Sequence, residues 1–169
     1  MIKFKLEKGI DLPKYEYEGA VGLDVSSNSI IAVFKGDQAV TGEKLEKIKE
    51  NFNNRGYIKL RAFERVLFGT GITVAEMHPN LELQVRSRSG ISLKRGLNVF
   101  NSPGTVDSDY RGEIGVILYN STPFLNQVDK GERIAQIVPK EAIRPDITEC
   151  NDITESNRNS DGFGSTGKI

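Results

Sequence analysis

The residues best suited to chemistry lie in one short segment, residues 104–113, which reads GTVDSDYRGE. It holds two carboxylates, Asp107 and Asp109, close to the ring of Tyr110 and the guanidinium of Arg111. A carboxylate one hydrogen bond from a water molecule can accept a proton from it. Strand-like runs flank the segment, so a hairpin should fix the directions of these side chains and form a small pocket from backbone edges.

A second group of polar residues, 86–92, reads RSRSGIS. Two arginines and two small hydroxyls precede a glycine, so guanidinium, hydroxyl and backbone N–H groups could converge on an anion. The segment taken alone is equally typical of an ordinary polar turn.

A single acid, Asp24, interrupts the apolar run of residues 20–26. A charged side chain is unfavourable in an apolar strand unless it has a partner or a function. Gly22, two residues earlier, would let a ligand or another backbone approach closely. The alternative is that Asp24 only caps a turn.

The end of the chain, residues 151–169, has too few apolar residues to fold by itself, and we expect a mobile arm there. This arm carries Arg158, Phe163 and several glycines among hydroxyls, a composition that could wrap phosphates and stack on a base. A plain glycine-rich linker is the alternative.

The segments that position these groups are mostly short strands. Strand patterns occur at residues 2–6, 20–26, 29–34, 57–60, 65–68, 72–75, 81–85, 114–118 and 132–139. Glycines 69 and 71 separate two of them as turn residues. Apolar residues at helical spacing predict one helix over residues 41–52, with Thr41 able to cap it. Many strands and one helix predict an all-β sandwich or barrel.

Composition limits the possible partners. The 169 residues are 37% hydrophobic, enough for one core over residues 1–150. The formal net charge of zero argues against nucleic acid or anionic membrane as a partner. The lone Cys150 and the start of the chain, which lacks an apolar targeting run, predict a soluble protein in a reducing, cytoplasmic compartment.

Five segments in order resemble the five motifs of the trimeric dUTPase family. They read AVGLDV from Ala20, RSG from Arg88, GTVDSDYRGE from Gly104, GERIAQIV from Gly131, and an arm from Arg158 through the FGSTG that begins at Phe163. The resemblance covers almost the whole chain and leaves out an insertion at about residues 35–56.

The resemblance implies a jelly-roll-like β-sandwich assembled as a homotrimer that hydrolyses dUTP to dUMP and pyrophosphate with Mg²⁺. It implies that Asp107 is the general base that activates the attacking water, and that Asp24 orients Mg²⁺ through a metal-bound water. It also implies that each site is shared, with Asp24, Ser89 and Gln136 facing a neighbour's hairpin and the arm coming from the third chain.

The resemblance also assigns the substrate contacts. Tyr110 would lie beneath the deoxyribose and exclude a 2′-hydroxyl, and Phe163 would stack on the base. Asn101 and the hairpin backbone at Gly104, Thr105 and Val106 would pair with uracil. The remaining residues would bind the triphosphate: Arg88, Ser89, Gly90, Gln136, Arg158, Gly164, Ser165 and Thr166.

Two other functions stay open at this point. A dCTP deaminase shares the fold but needs a glutamate in the base pocket. A regulatory module could instead dock on a partner protein through the insertion, with nucleotide occupancy as its switch.

Overall fold

The computed structural model describes residues 1–156. Within them the chain forms twelve strands and two helices. The strands are β1 (Ile2–Leu6), β2 (Leu23–Ser26), β3 (Ser29–Lys35), β4 (Gln38–Ala39), β5 (Tyr57–Leu60), β6 (Glu64–Met77), β7 (Leu81–Ser87), β8 (Leu97–Val99), β9 (Gly104–Val106), β10 (Glu113–Asn120), β11 (Asn126–Asp129) and β12 (Arg133–Glu141). The helices are α1 (Gly42–Arg55) and α2 (Ser89–Arg95).

The strands form two large antiparallel sheets and one two-stranded ribbon. The six-stranded sheet has the order β4-β3-β6-β10-β8, and β1 pairs with the second half of β6. The four-stranded sheet has the order β2-β12-β7-β9, and the ribbon joins β11 to β5. Apolar side chains of both sheets belong to one buried cluster, which includes Val66, Phe68, Val116, Val25, Val85 and Ile137. The predicted all-β sandwich is confirmed.

The strand β6 corrects one prediction. Residues 65–68 and 72–75 are not separate strands, because β6 runs without a break through Gly69 and Gly71. A Cβ on Gly69 would lie 2.4 Å from Ser29 Oγ and 2.6 Å from Glu113 Oε1, so a side chain there would displace both groups. The Gly71 N–H donates to Glu113 Oε1 at 2.6 Å. Gly69 therefore marks a close approach of side chains, and Gly71 adopts a left-handed conformation (φ +72°) within the strand, so neither glycine separates two strands.

The helix α1 confirms the predicted helix and extends it to Arg55, where Gly56 adopts a left-handed conformation. Phe52 is 1% exposed, and its ring lies 5.9 Å from that of Phe68. Leu45 and Ile48 also pack against the core. The apolar stripe thus seats the helix on the sandwich. Thr41 stands at the N-cap position, but its side chain makes no capping hydrogen bond, contrary to expectation.

Several elements do not appear among the predicted strands and helix, and α2 and β11 are two of them. The helix α2 occupies Ser89–Arg95 and buries Ile91, so residues 86–92 are the end of a strand and the start of a helix, not a turn. The strand β11 pairs with β5 and buries Val128.

The first strand has the predicted alternation. Its apolar residues are half-buried, while Lys3 and Lys5 are exposed. The Lys3 ammonium donates a hydrogen bond to Glu76, which lowers the pKa of that carboxyl.

Neither helix in residues 1–156 is long and apolar enough to cross a membrane.

Candidate active site

The acidic bend of residues 107–112 connects the two sheets. Before the bend, β9 pairs with β7 in the four-stranded sheet, where Gly104 faces Val85. After it, β10 belongs to the six-stranded sheet, where it pairs with β8. The predicted simple hairpin is therefore incomplete, because its inner part leaves the β8–β10 ladder and joins the opposite sheet. Each end of the bend is still fixed by a ladder.

A cavity of about 270 Å³ lies beside this bend. We name it the bend cavity; its lining consists of Val85, Asn101, Gly104, Thr105, Val106, Asp107, Tyr110, Ile114 and Gly115. The structure thus brings together the six predicted site residues of the third motif and its preceding turn.

Two glycines give the bend cavity its shape. A Cβ on Gly104 would lie 2.8 Å from Asn101 Nδ2, so the Asn101 side chain occupies the place that a methyl group on residue 104 would fill. A Cβ on Gly112 would lie 2.2 Å from the Tyr110 hydroxyl. That hydroxyl donates to the Glu113 carbonyl at 3.1 Å, and the Tyr110 N–H donates to the Asp107 carbonyl at 3.1 Å. Tyr110 is thus fixed by its hydroxyl and by its backbone N–H, while 45% of the residue remains exposed.

Asp107 is exposed, and within residues 1–156 its carboxylate accepts no hydrogen bond. The neighbouring Ser108 is buried, and its groups accept from two arginines, Arg111 at 2.9 Å and Arg144 at 3.3 Å. The backbone beside Asp107 is thus anchored while its carboxylate is left open to a water molecule.

A second group of predicted residues lies around Asp24. We name Asp24, Arg88, Arg133 and Gln136 the Asp24 cluster. Arg88 Nε donates to Asp24 Oδ1 at 2.9 Å, and Arg88 Nη2 forms an ion pair with Asp24 Oδ2 at 2.9 Å. Arg133 Nη1 lies 3.2 Å from Asp24 Oδ2. Asp24 is therefore neither a turn cap nor a free carboxylate, because two guanidinium groups share it. This two-pronged geometry is the strong form of an ion pair.

Gln136 lies on β12, where it is paired with Asp24 of β2 on one side and with Arg86 of β7 on the other. Its amide donates to the Ser87 carbonyl at 3.2 Å, and a Cβ on Gly22 would lie 2.2 Å from its Oε1. Arg86 bonds to Gln84 instead of turning toward Arg88, so the two arginines do not converge as predicted. Ser89 and Gly90 lie exposed in the first turn of α2.

One chain does not bring Asp24 beside the bend cavity. Asp24 lies on β2 and Thr105 on β9, at opposite edges of the four-stranded sheet. Three strand spacings separate those edges, a distance of about 14 Å.

The arm residues Arg158, Phe163, Gly164, Ser165 and Thr166 lie outside the described residues. Within residues 1–156 no group of three or more His, Cys, Asp or Glu side chains could hold a metal ion.

Sequence reasoning missed the ion pairs of Arg133 and the packing role of Gly112. A glycine two residues after an aromatic in a bend is the only pattern that could have indicated the second.

Comparisons with known proteins give consistent results. A family model described as dUTPase matches residues 52–167. The deoxyuridine 5'-triphosphate nucleotidohydrolase of Fusobacterium nucleatum is 38% identical, over 99% of this chain and 97% of its own. The protein of the same name from Hydrogenobaculum sp. is 40% identical, over 96% of this chain and 94% of its own.

Solved structures share the fold. A mutant dUTPase of Staphylococcus bacteriophage 80alpha, with dUpNHpp, matches with a TM-score of 0.74 and 20% identity, and the match covers 99% of each chain. A mutant dUTPase from phage phi11 of S. aureus, described for its structural Mg(II) ion, matches with a TM-score of 0.68 and 15% identity over 92% of this chain and 99% of its own. Together with the family model and the relatives near 40% identity, they lead to one conclusion: the chain belongs to the dUTPase family of nucleotide hydrolases.

Proposed function

We propose that this chain hydrolyses dUTP to dUMP and pyrophosphate at a site formed by the bend cavity of one copy and the Asp24 cluster of another. One observation carries the proposal. The bend cavity combines an exposed carboxylate, Asp107, with an amide side chain and a tyrosine ring that glycines hold in place.

The uracil base would pair with β9 and Asn101. Within the described chain β9 has a strand neighbour on one side only, so its other backbone edge offers N–H and C=O groups to a ligand. Uracil carries an N–H between two carbonyls, a pattern that a backbone edge and an amide can complement. Such hydrogen bonding rejects cytosine more strongly than an apolar pocket could, because mismatched polar groups stay unpaired.

Tyr110 would select the sugar. Its ring lines the bend cavity and is fixed by the hydroxyl contact to Glu113 and by the space that Gly112 leaves free. A deoxyribose packed on this ring leaves no room for a 2′-hydroxyl, so ribonucleotides would be excluded.

Asp107 would act as the general base. Its carboxylate accepts a proton from a water molecule as the water oxygen attacks the α-phosphorus. The bond from the α-phosphorus to the bridging oxygen breaks, and pyrophosphate leaves with that oxygen. The anchored backbone at Ser108 would keep the carboxylate aligned through this step.

A divalent metal is expected for such a reaction, and we propose Mg²⁺. When bound, it would neutralise charge that develops on the phosphate oxygens. Asp24 accepts a hydrogen bond from Arg88 and lies within ion-pair distance of Arg133, so these cations compete with a metal for its oxygens. This competition favours contact through a metal-bound water over direct ligation by Asp24. This fits an ion that keeps several waters and is held mainly by substrate phosphates.

We propose a homotrimer with shared sites. The distance of about 14 Å between the sheet edges means that one chain cannot apply Asp107 and Asp24 to the same phosphate group. A neighbour's exposed Ser89 and Gly90 would approach the bend cavity instead. Light scattering should give the mass of three chains, and an active monomer would rule out the shared site.

The arm beyond residue 156 would complete the site through Arg158 at the phosphates and Phe163 on the base. Within residues 1–156, every buried hydrophobic residue lies between Leu23 and Val138. Truncation after Asn157 should therefore leave the melting temperature nearly unchanged and abolish most dUTP hydrolysis. Full activity of the truncated protein would reduce the arm to a linker.

The direct test of the function is a pyrophosphate-release assay with dUTP, dCTP, dTTP and UTP in the presence of Mg²⁺. We expect release from dUTP alone. Ammonia release from dCTP would support a deaminase instead, and equal rates with UTP would refute the role of Tyr110.

A further inference from the structure

We propose that Arg133 is a positioning residue for the triphosphate site: it holds the Asp24 carboxylate so that Arg88 can move from Asp24 to the phosphates of the substrate. This inference rests on the proposed function, in which Arg88 binds the triphosphate. Arg133 itself would contact neither the phosphates nor the reacting atoms.

In the structure Arg88 is largely committed to the protein. Its Nε donates to Asp24 Oδ1 and its Nη1 to the Arg133 carbonyl, both at 2.9 Å, and its Nη2 forms an ion pair with Asp24 Oδ2 at 2.9 Å. Both of its terminal nitrogens and its Nε thus contact the protein, and its side chain is only 28% exposed. A triphosphate must compete with Asp24 for this guanidinium.

If Arg88 moved to the substrate, the Asp24 carboxylate would lose a charged partner. The Asp24 side chain is 17% exposed, so water can reach it only in part. A poorly hydrated carboxylate that loses its partner carries a large desolvation penalty. Without another cation nearby, Arg88 would be held on Asp24 and be unavailable to the substrate.

Arg133 removes this difficulty. Its Nη1 lies 3.2 Å from Asp24 Oδ2, the same oxygen that forms the ion pair with Arg88 Nη2. The same nitrogen donates to Glu16 at 3.0 Å, which keeps the guanidinium in place although it is 51% exposed. When Arg88 turns away, Asp24 retains one charged partner and its position. The carboxylate then remains aimed at the site where the metal-bound water is expected.

The main test uses Arg133→Met, which removes the charge but keeps a long apolar stem. Isothermal titration should show about tenfold weaker binding of the non-hydrolysable analogue dUpNHpp in the presence of Mg²⁺, the size typical of coupling between contacting residues. Binding of dUMP should change less than twofold, because dUMP lacks the two phosphates for which Arg88 is needed. A general loss of structure would weaken both ligands equally, and that result would overturn the proposal.

Two comparisons separate this role from a simple charge effect. Lys14 lines the same cavity as Asp24 and Arg133, and Lys14→Met removes an equal charge without a contact to Asp24. We expect this variant to bind dUpNHpp within twofold of the unchanged protein; a tenfold loss would mean that only the local field matters. In an Asp24→Asn background, Arg133→Met should have almost no further effect, and an undiminished effect would show that Arg133 does not act through Asp24.

The proposed hydrolysis and the role of Arg133 can be refuted independently of each other. If the unchanged protein binds dUpNHpp but releases no pyrophosphate from dUTP, the hydrolysis is refuted while the titrations still decide the role of Arg133. If hydrolysis is present and Arg133→Met binds dUpNHpp as tightly as the unchanged protein does, only the role of Arg133 is refuted.

Discussion

The bend cavity and the Asp24 cluster hold their side chains by different means. In the bend cavity, Asn101 and Tyr110 occupy the space that Gly104 and Gly112 leave, and the Tyr110 hydroxyl donates to a backbone carbonyl. In the Asp24 cluster, charged side chains position one another across three strands. The first arrangement is set by packing and the second by ion pairs.

This difference matches the two tasks of the proposed reaction. Recognition of a base requires a fixed pattern of donors and acceptors, because a mismatch must remain costly. Binding of a triphosphate requires charges that can exchange one anionic partner for another. In the proposed reaction, the bend cavity would therefore select the base, while the Asp24 cluster would help to neutralise the phosphate charge.

The largest effect should follow from Asp107→Asn, which keeps the shape of the bend cavity but removes the proton acceptor. We expect the turnover rate to fall about 100-fold or more, while dUpNHpp binds nearly as before. Pyrophosphate release and titration measure the two quantities. Near-normal turnover would remove Asp107 from the mechanism, and lost binding would mean that the carboxylate shapes the pocket.

A smaller effect should follow from Gly104→Ala, because the added methyl group would displace Asn101 by contact with its amide. We expect kcat/KM for dUTP to fall about 10- to 100-fold, as is typical when a substrate-positioning group shifts by about 1 Å. The matched control is Gly19→Ala, since a Cβ on Gly19 would meet nothing closer than 4.0 Å. Equal behaviour of the two variants would contradict the packing account.

The smallest effect concerns salt. An increase from about 0.05 to about 0.5 M NaCl shortens the screening length several-fold and weakens exposed charge interactions. The KM for dUTP should rise a few-fold, because the Asp24 cluster and the phosphates interact through charge. Binding of uncharged deoxyuridine, which needs the bend cavity alone, should stay constant. A parallel change in both would mean that the cavity also depends on charge.

The sequence predicts the elements with strong local patterns. The alternation of β1 and the spacing of Leu45, Ile48 and Phe52 are each set by one buried face, so periodicity is enough to find them. The missed helix α2 is short, and its stop pattern is visible only afterwards in Lys94, Arg95 and Gly96.

The rest depends on contacts between distant segments. Gly69 resembles a turn residue until Ser29 and Glu113 are known to fill the place of its side chain. The pairing of Asp24 with Arg88 and Arg133 likewise requires the strand order, which local pattern does not contain. The assignment of the site residues from the five motifs stays a prediction, but the bend cavity gathers the third-motif residues in one place.

The edge position of β2 has a consequence for how the protein folds. Its only strand neighbour in the described chain is β12, and the pair joins Asp24 to Gln136, roughly 110 residues away. During synthesis β2 must wait for nearly the whole domain, whereas β3 can pair with β6 much earlier. Such long-range pairing is slow and leaves strand edges exposed to aggregation. We therefore expect the Asp24 cluster to assemble late, on a six-stranded sheet that is already largely formed.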